Sequence, residues 1–175
     1  MLMIQIIGFA LIAWSFVMLV KMCRTTPSVV FDFEDGTYEF DIESPGFYSI
    51  AVLGAGFVGK FEQVRVQVED ENGSTEVEPY IIALRVSKGA QMATGCWYFK
   101  AETPGHYRLS ISNLGAVEAK SSMLPSKRIF QSPLDRRELN ILIHKSIAPL
   151  HQVFIIIGFV IGFGVNIFIL VFFSV

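Results

Sequence analysis

The two ends of this chain constrain it more than anything between them. Residues Met1 to Val20 (MLMIQIIGFALIAWSFVMLV) and Val153 to Val175 (VFIIIGFVIGFGVNIFILVFFSV) contain no ionisable side chain. A helix needs about 20 predominantly apolar residues to cross a bilayer core, so both runs are expected to span. They account for an apolar share of 52%, above that of an ordinary soluble domain. The remaining residues suffice for one small domain. The expected organisation is a two-pass integral membrane protein. It has a transmembrane helix over residues 1–21, a β-sandwich over 28–118, a connection with a candidate last strand over 119–145, and a second transmembrane helix over 146–175.

A cleaved leader would need a basic start, a shorter apolar core and small residues before the cut, and the first run lacks all three. Val20-Lys21-Met22 before Cys23 also lacks the small residues of a lipoprotein signal. Lys21 and Arg24 follow the first run, and Arg136, Arg137 and Lys145 precede the second, while the outer ends carry no side-chain charge. Basic residues beside a span tend to remain in the cytoplasm, which predicts both termini outside and the middle domain cytoplasmic. The formal net charge of −2, with no basic stripe, gives no nucleic-acid signal. Cys23 at the membrane edge and Cys96 in a strand-like run do not form a disulfide framework, and Cys96 is expected to be a buried, small apolar residue.

From Val29 the pattern changes to short alternating runs punctuated by Gly, Pro, Asn and Asp, the signature of antiparallel β structure. Strands are predicted at 29–33, 37–42, 47–53, 61–69, 80–86, 96–101 and 106–112, with a last one at 138–144. The last segment, ELNILIH, also carries a helical stripe, so its period alone leaves it ambiguous. Glu34-Asp-Gly36 and Asp70-Glu-Asn-Gly73 are expected to connect hairpins. Asn72-Gly-Ser74 also forms a glycosylation sequon, here taken as a turn. Residues 119–133, with two prolines and no clear period, are expected to be an exposed connection.

An internal repeat is the strongest feature of the middle. YEFDIESPGFYSIAV (38–52) overlays WYFKAETPGHYRLSI (97–111) without a gap, and Phe40, Glu43, Pro45, Gly46 and Tyr48 recur as Phe99, Glu102, Pro104, Gly105 and Tyr107. Each copy is expected to be a strand, a type II Pro-Gly turn and a returning strand, with the aromatic before the turn and the Tyr after it facing one core. A pair of such hairpins suits a mainly β, jelly-roll-like antiparallel sandwich.

Gly54-Ala-Gly56-Phe-Val-Gly59, after the apolar run Ile50 to Leu53, resembles the G-x-G-x-x-G fingerprint of NAD-dependent dehydrogenases and other Rossmann proteins. The resemblance implies a helix opening onto a pyrophosphate. Yet Val64, Val66 and Val68 then alternate as in a strand, so no βαβ unit is expected and the glycines are assigned to an irregular strand end. The corresponding stretch of the second copy, Asn113 to Glu118, is expected to be irregular in the same way.

No catalytic residue, cofactor or metal site is assigned. His106 is expected to be half-buried, and His144, Lys145 and His151 to lie at the membrane interface. Carboxylates at 32–35 and 70–71 are of the type that calcium takes, but are read as solvated turn charges. Gly158, Gly162 and Asn166 mark a helix-packing face, with Gln5 or Ser15, or another subunit, as candidate partners for Asn166. The expected function is non-enzymatic: a sandwich held at the lipid bilayer that binds a protein partner or another copy of itself. It would serve as an accessory or regulatory subunit of a membrane complex, or as an immunity-type protein that neutralises a toxin. The alternative is a carbohydrate- or ligand-sensing domain with Tyr38, Tyr48, Trp97 and Tyr107 as an exposed platform. A third, an enzyme acting on lipid or nucleotide, would depend on the glycine motif.

Overall fold

Among the described residues, the alternating segments of the middle form twelve short strands. They are β1 (Ser28–Asp32), β2 (Gly36–Ile42), β3 (Gly46–Leu53), β4 (Phe57–Gly59), β5 (Arg65–Asp70), β6 (Gly73–Thr75), β7 (Val77–Pro79), β8 (Arg85–Lys88), β9 (Gln91–Ala101), β10 (Gly105–Ser112), β11 (Glu118–Lys120) and β12 (Asn140–Ser146). This computed structural model describes residues 2–23, 28–71, 73–80, 85–88, 90–122 and 124–173. The chain divides into two units: Thr25–Ser146, and Met1–Arg24 together with Ile147–Val175.

The first unit is mainly β, and its pairings are antiparallel. One sheet runs β1-β12-β3-β9-β7, with β8 also on β9; a second runs β2-β10-β5-β6; β4 and β11 form a separate pair. Both larger sheets contribute to one apolar core, in which Phe99 of β9 meets Phe40 of β2 and Tyr107 of β10. The last predicted strand lies in the interior of its sheet, between β1 and β3. The compact unit therefore extends to Ser146. Ile141 and Ile143 of β12 enter the main core, while Leu142 enters a second cluster with Ala51, Leu53, Val86 and Ala93. Burial on both faces removes the polar half of the alternation, which is why ELNILIH has no clean period of two.

The repeat is not a pair of hairpins. In the first copy β2 pairs with β10 while β3 pairs with β12 and β9; in the second, β9 and β10 likewise belong to different sheets. Each Pro-Gly step is a corner that carries the chain from one sheet to the other. Gly46 and Gly105 have φ of 144° and 155°, far from the roughly +80° of a type II turn. The registers show what the repeat builds. Gly46, Tyr48 and Ile50 stand opposite Ala101, Phe99 and Trp97. Gly105, Tyr107 and Leu109 stand opposite Ile42, Phe40 and Tyr38, which are the equivalent residues with the copies exchanged. The copies are thus related by a local two-fold, and each arm pairs with the complementary arm of the other copy. Tyr48 stacks on Phe99 at 5.7 Å between centroids, and Phe40 meets Tyr107 at 6.0 Å.

Other connections depart from expectation in the same sense. Glu34-Asp-Gly36 also passes between sheets, because β1 pairs with β12 and β2 with β10. The link from β5 to β6 is a true hairpin, with Asp70 opposite Gly73; Asn72 itself lies outside the described residues. The predicted strand 61–69 begins with a short 3-10 turn, Phe61–Gln63. Of the predicted strand 80–86, residues 81–84 lie outside the described residues. No α-helix follows Gly59; the 3-10 turn Phe61–Gln63 leads straight into β5. Gly54 has φ of +96° and a Cβ there would lie 2.7 Å from the Glu138 carbonyl oxygen, so a strand exit and close backbone packing account for it. The Asn113 stretch is an irregular strand end, a left-handed residue followed by a 3-10 turn, as at Lys60.

The second unit consists of α1 (Leu2–Cys23) and α3 (Pro149–Phe173); a short α2 (Pro125–Arg128) belongs to the β unit. Pro149 opens α3, where its missing N–H costs nothing. Pro149–Phe168 is long and apolar enough to cross a membrane, whereas the apolar stretch found in α1, Ile6–Met18, is shorter. Among the described residues, one candidate span is therefore present.

Candidate functional site

Of the helix-face residues, Gly158 and Gly162 lie against α1. A Cβ on Gly158 would approach Ser15 Oγ to 3.0 Å, and one on Gly162 would meet Ile12 Cγ1 at 2.9 Å and the Gly8 carbonyl oxygen at 3.0 Å. Asn166 lies beside Gly8. As α1 is followed from Ser15 back to Gly8, its neighbours advance from Gly158 to Asn166, so the helices run antiparallel with glycine at the seam. Asn166 Nδ2 donates to the Gly162 carbonyl at 2.8 Å, while its Oδ1 and Ser15 Oγ are buried without a hydrogen-bond partner. Of the candidate partners, Ser15 makes no hydrogen bond to Asn166, and the side chain of Gln5 lies outside the described residues.

The aromatic platform does not assemble. Tyr48, Trp97 and Tyr107 are 4%, 5% and 1% exposed, because they supply the inward faces of the repeat. The Tyr48 hydroxyl donates to the Ser44 carbonyl and that of Tyr107 to the Thr103 carbonyl, each at 2.8 Å and each four residues upstream. These are tyrosine corners, and they explain why Ser/Thr-Pro-Gly-x-Tyr recurs. Tyr38 is half-buried against Phe31, and its hydroxyl donates to the Glu34 and Asp32 carbonyls.

Among the hollows on the described residues of the β unit, a wide one over β2, β5 and β10 is lined by Tyr38, Glu39, Glu69 and Arg108, and two more lie elsewhere. One, of about 530 Å³, is lined by Asp32, Asp35, Arg136 and Arg137 among others. Its polar groups hold the fold together: Asp35 Oδ1 accepts from Leu114 N at 2.8 Å, and Arg136 donates to the Gly115 carbonyl at 2.7 Å. The other, also about 530 Å³, lies beside the short strands β6 and β7 and collects Asp70, Glu76, Glu78 and Glu102 around Phe47 and Tyr98, with Lys100 as the one cation among the described residues that line it. Register creates this groove. Glu78 stands directly opposite Tyr98 and accepts its hydroxyl hydrogen bond. That bond, with burial and the Glu78 charge, holds the phenol well above its usual range, at about 12. Lys100 pairs with Glu102 at 2.7 Å, leaving carboxylates in excess. Tyr98 also packs against Phe47 and Tyr80, so the acidic rim surrounds a partly apolar floor. Of these four acids the sequence marks only Asp70, as a turn charge; strands far apart in the chain bring them together.

The histidines depart from expectation. His106 is exposed on the outer face of β10, 3.0 Å from Asp41 and 3.5 Å from Glu39. The hydrogen bond to Asp41 leads the causes that raise its pKa. His144 is buried in the β unit, with Nδ1 3.0 Å from the Lys145 carbonyl, and burial lowers its pKa. Cys96 is fully buried, and burial pushes its thiol pKa far up. Among the described residues, no group of three or more His, Cys, Asp or Glu is placed to hold a metal ion. Comparison with protein-family models, with curated proteins and with solved structures finds no match.

Proposed function

We propose that this chain is a two-pass membrane protein whose cytoplasmic β unit binds a basic segment of a protein partner through the acidic groove beside β6 and β7. It thereby acts as an accessory or regulatory subunit of a membrane complex, or as an immunity-type protein. The observation that carries this reading is the groove: four carboxylates and one ammonium around two half-buried rings. Aromatic rings within a charged rim supply both contact area and orientation at protein interfaces. Two spans are supported by the apolar stretch of α3, by the uncharged sequence of residues 1–20 and by the glycine seam that joins α1 to α3. A jelly-roll sandwich fits the way successive strands alternate between the sheets and share one core.

The test is charge reversal. Full-length chain is extracted gently from its own membranes, with and without Glu76→Lys and Glu102→Lys, and stoichiometric companions are measured by mass spectrometry. A companion retained by the native chain, released by added salt and lost from the variant is the expected result. Native chain recovered alone would sink the proposal. Sidedness is read separately from a single cysteine at Asn72 in a chain lacking the native cysteines: an impermeant maleimide should label it only after lysis.

A further inference from the structure

We infer that the loop Ser122–Gln131, between β11 and β12, is a second membrane contact that seats Leu124, Ile129 and Phe130 in the interfacial layer of an anionic bilayer. The inference rests on the membrane part of the proposed function and is independent of the acidic groove.

The described residues of this loop, 122 and 124–131, are tied to one another and to the sheet. Its neck is closed by Ser122 N donating to Gln131 Oε1 at 3.0 Å, and beyond it Leu134 N donates to the Ala119 carbonyl at 2.8 Å. Within it, Lys127 N donates to the Leu124 carbonyl and Phe130 N to the Lys127 carbonyl, turn bonds at the two ends of the short helix α2. A compact loop of this kind ordinarily packs its own apolar side chains inward. Here Leu124, Ile129 and Phe130 are 55%, 74% and 90% exposed. On the β unit the other large exposed apolar side chains, Val30 and Met92, are 39% and 41% exposed. Among the described residues of the β unit, the most exposed large apolar groups are therefore gathered on one loop rather than scattered.

Charge selects the occupant. From Ala119 to Leu134 there is no acidic residue, while Lys127 and Arg128 sit between the apolar residues. Lysine and arginine flanking Leu, Ile and Phe match an anionic headgroup layer over acyl chains. The same unit is tied to a bilayer, because only Ile147 and Ala148 separate β12 from α3, at most about 11 Å of chain. A weak lipid contact is amplified by such tethering, since its second binding event is intramolecular.

The experiment uses the full chain in lipid nanodiscs, with Cys23→Ser and an environment-sensitive fluorophore on Ser126→Cys; the buried Cys96 does not compete for label. Discs of phosphatidylcholine with phosphatidylserine are compared with discs of phosphatidylcholine alone. The expected result is blue-shifted emission, loss of most of the signal to quenchers carried on lipid acyl chains, and shielding from aqueous iodide, all weaker without phosphatidylserine. Ile129→Ser with Phe130→Ser should abolish these effects while leaving the thermal transition of the β unit unchanged. Free access to iodide with no lipid quenching in either disc would overturn the inference and reassign the loop to a protein surface. Failure of the chain to co-elute with the discs would instead overturn the membrane reading itself.

Discussion

The two units distribute polarity in opposite senses. In the β unit Phe99, Tyr107, Leu109 and Leu142 are buried, and both buried tyrosines of the repeat satisfy their hydroxyls locally. In the helical unit Phe9, Phe16, Val160 and Phe163 are exposed, whereas Ser15 and Gln152 are buried. Two buried polar atoms there, Ser15 Oγ and Asn166 Oδ1, have no partner. Water as solvent demands the first arrangement, because an apolar surface is unfavourable there and an unpaired buried polar atom costs about 1–3 kcal/mol. A bilayer demands the second, because lipid welcomes apolar side chains and helix association depends on close packing at small residues.

The sharpest way to break this contrast is one truncation made in both units. Phe99→Ala should destabilise the β unit by about 3–5 kcal/mol, read as a lowered thermal transition of the full chain. Phe163→Ala, on the exposed face of α3, should leave that transition in place. Equal effects would mean that the two units share one kind of solvent.

The seam offers a smaller effect. Gly162→Leu forces atoms into the space of Ile12 and the Gly8 carbonyl, and overpacking of this kind costs about 1–3 kcal/mol. Disulfide formation between Ser15→Cys and Gly158→Cys should fall in this variant, and an undiminished yield would show that close glycine packing does not hold the helices together.

Within the β unit, the local two-fold makes a symmetric prediction. Tyr48→Phe and Tyr107→Phe each leave one carbonyl without its donor and should each cost about 0.5–1.5 kcal/mol. Denaturant titration of the two variants should give matching losses; a large inequality would show that the corners are equivalent in sequence only.

The smallest effects are pH-dependent, and the two histidines act with opposite sign. Burial lowers the folded pKa of His144, so below about 6.5 the unfolded chain takes up a proton that the folded one refuses, and stability falls on acidification. The pKa of His106 is raised by Asp41 and Glu39, so its contribution is present below about 6.5 and is lost as pH rises through its folded value. His144→Gln should flatten the acid limb of a stability profile and His106→Gln the alkaline one. The opposite assignment would contradict the burial of His144.

Much of this was legible from local pattern. Charge-free runs marked both helices, period-two alternation located most strands, and the repeat identified its own core residues, because burial on one face leaves a direct trace in residue order. The groove left no such trace. Glu78 and Tyr98 meet only because β7 pairs with β9, and Glu102 joins them from the corner that follows. The repeat is plain in the sequence but its topology is not, since a strand, Pro-Gly, strand pattern fits a hairpin and a sheet-to-sheet corner alike.

The sequence by itself determined where apolar residues concentrate: two end segments and the alternating faces of a β domain, properties that a residue and its near neighbours carry together. Only the tertiary structure decided the partners. Whether Tyr48 faced ligand or core, whether β2 paired with β3 or with β10, and which acids shared a groove all depend on residues up to scores of positions apart. Such pairing is selected by the free energy of the whole core, so it is not encoded in any single segment.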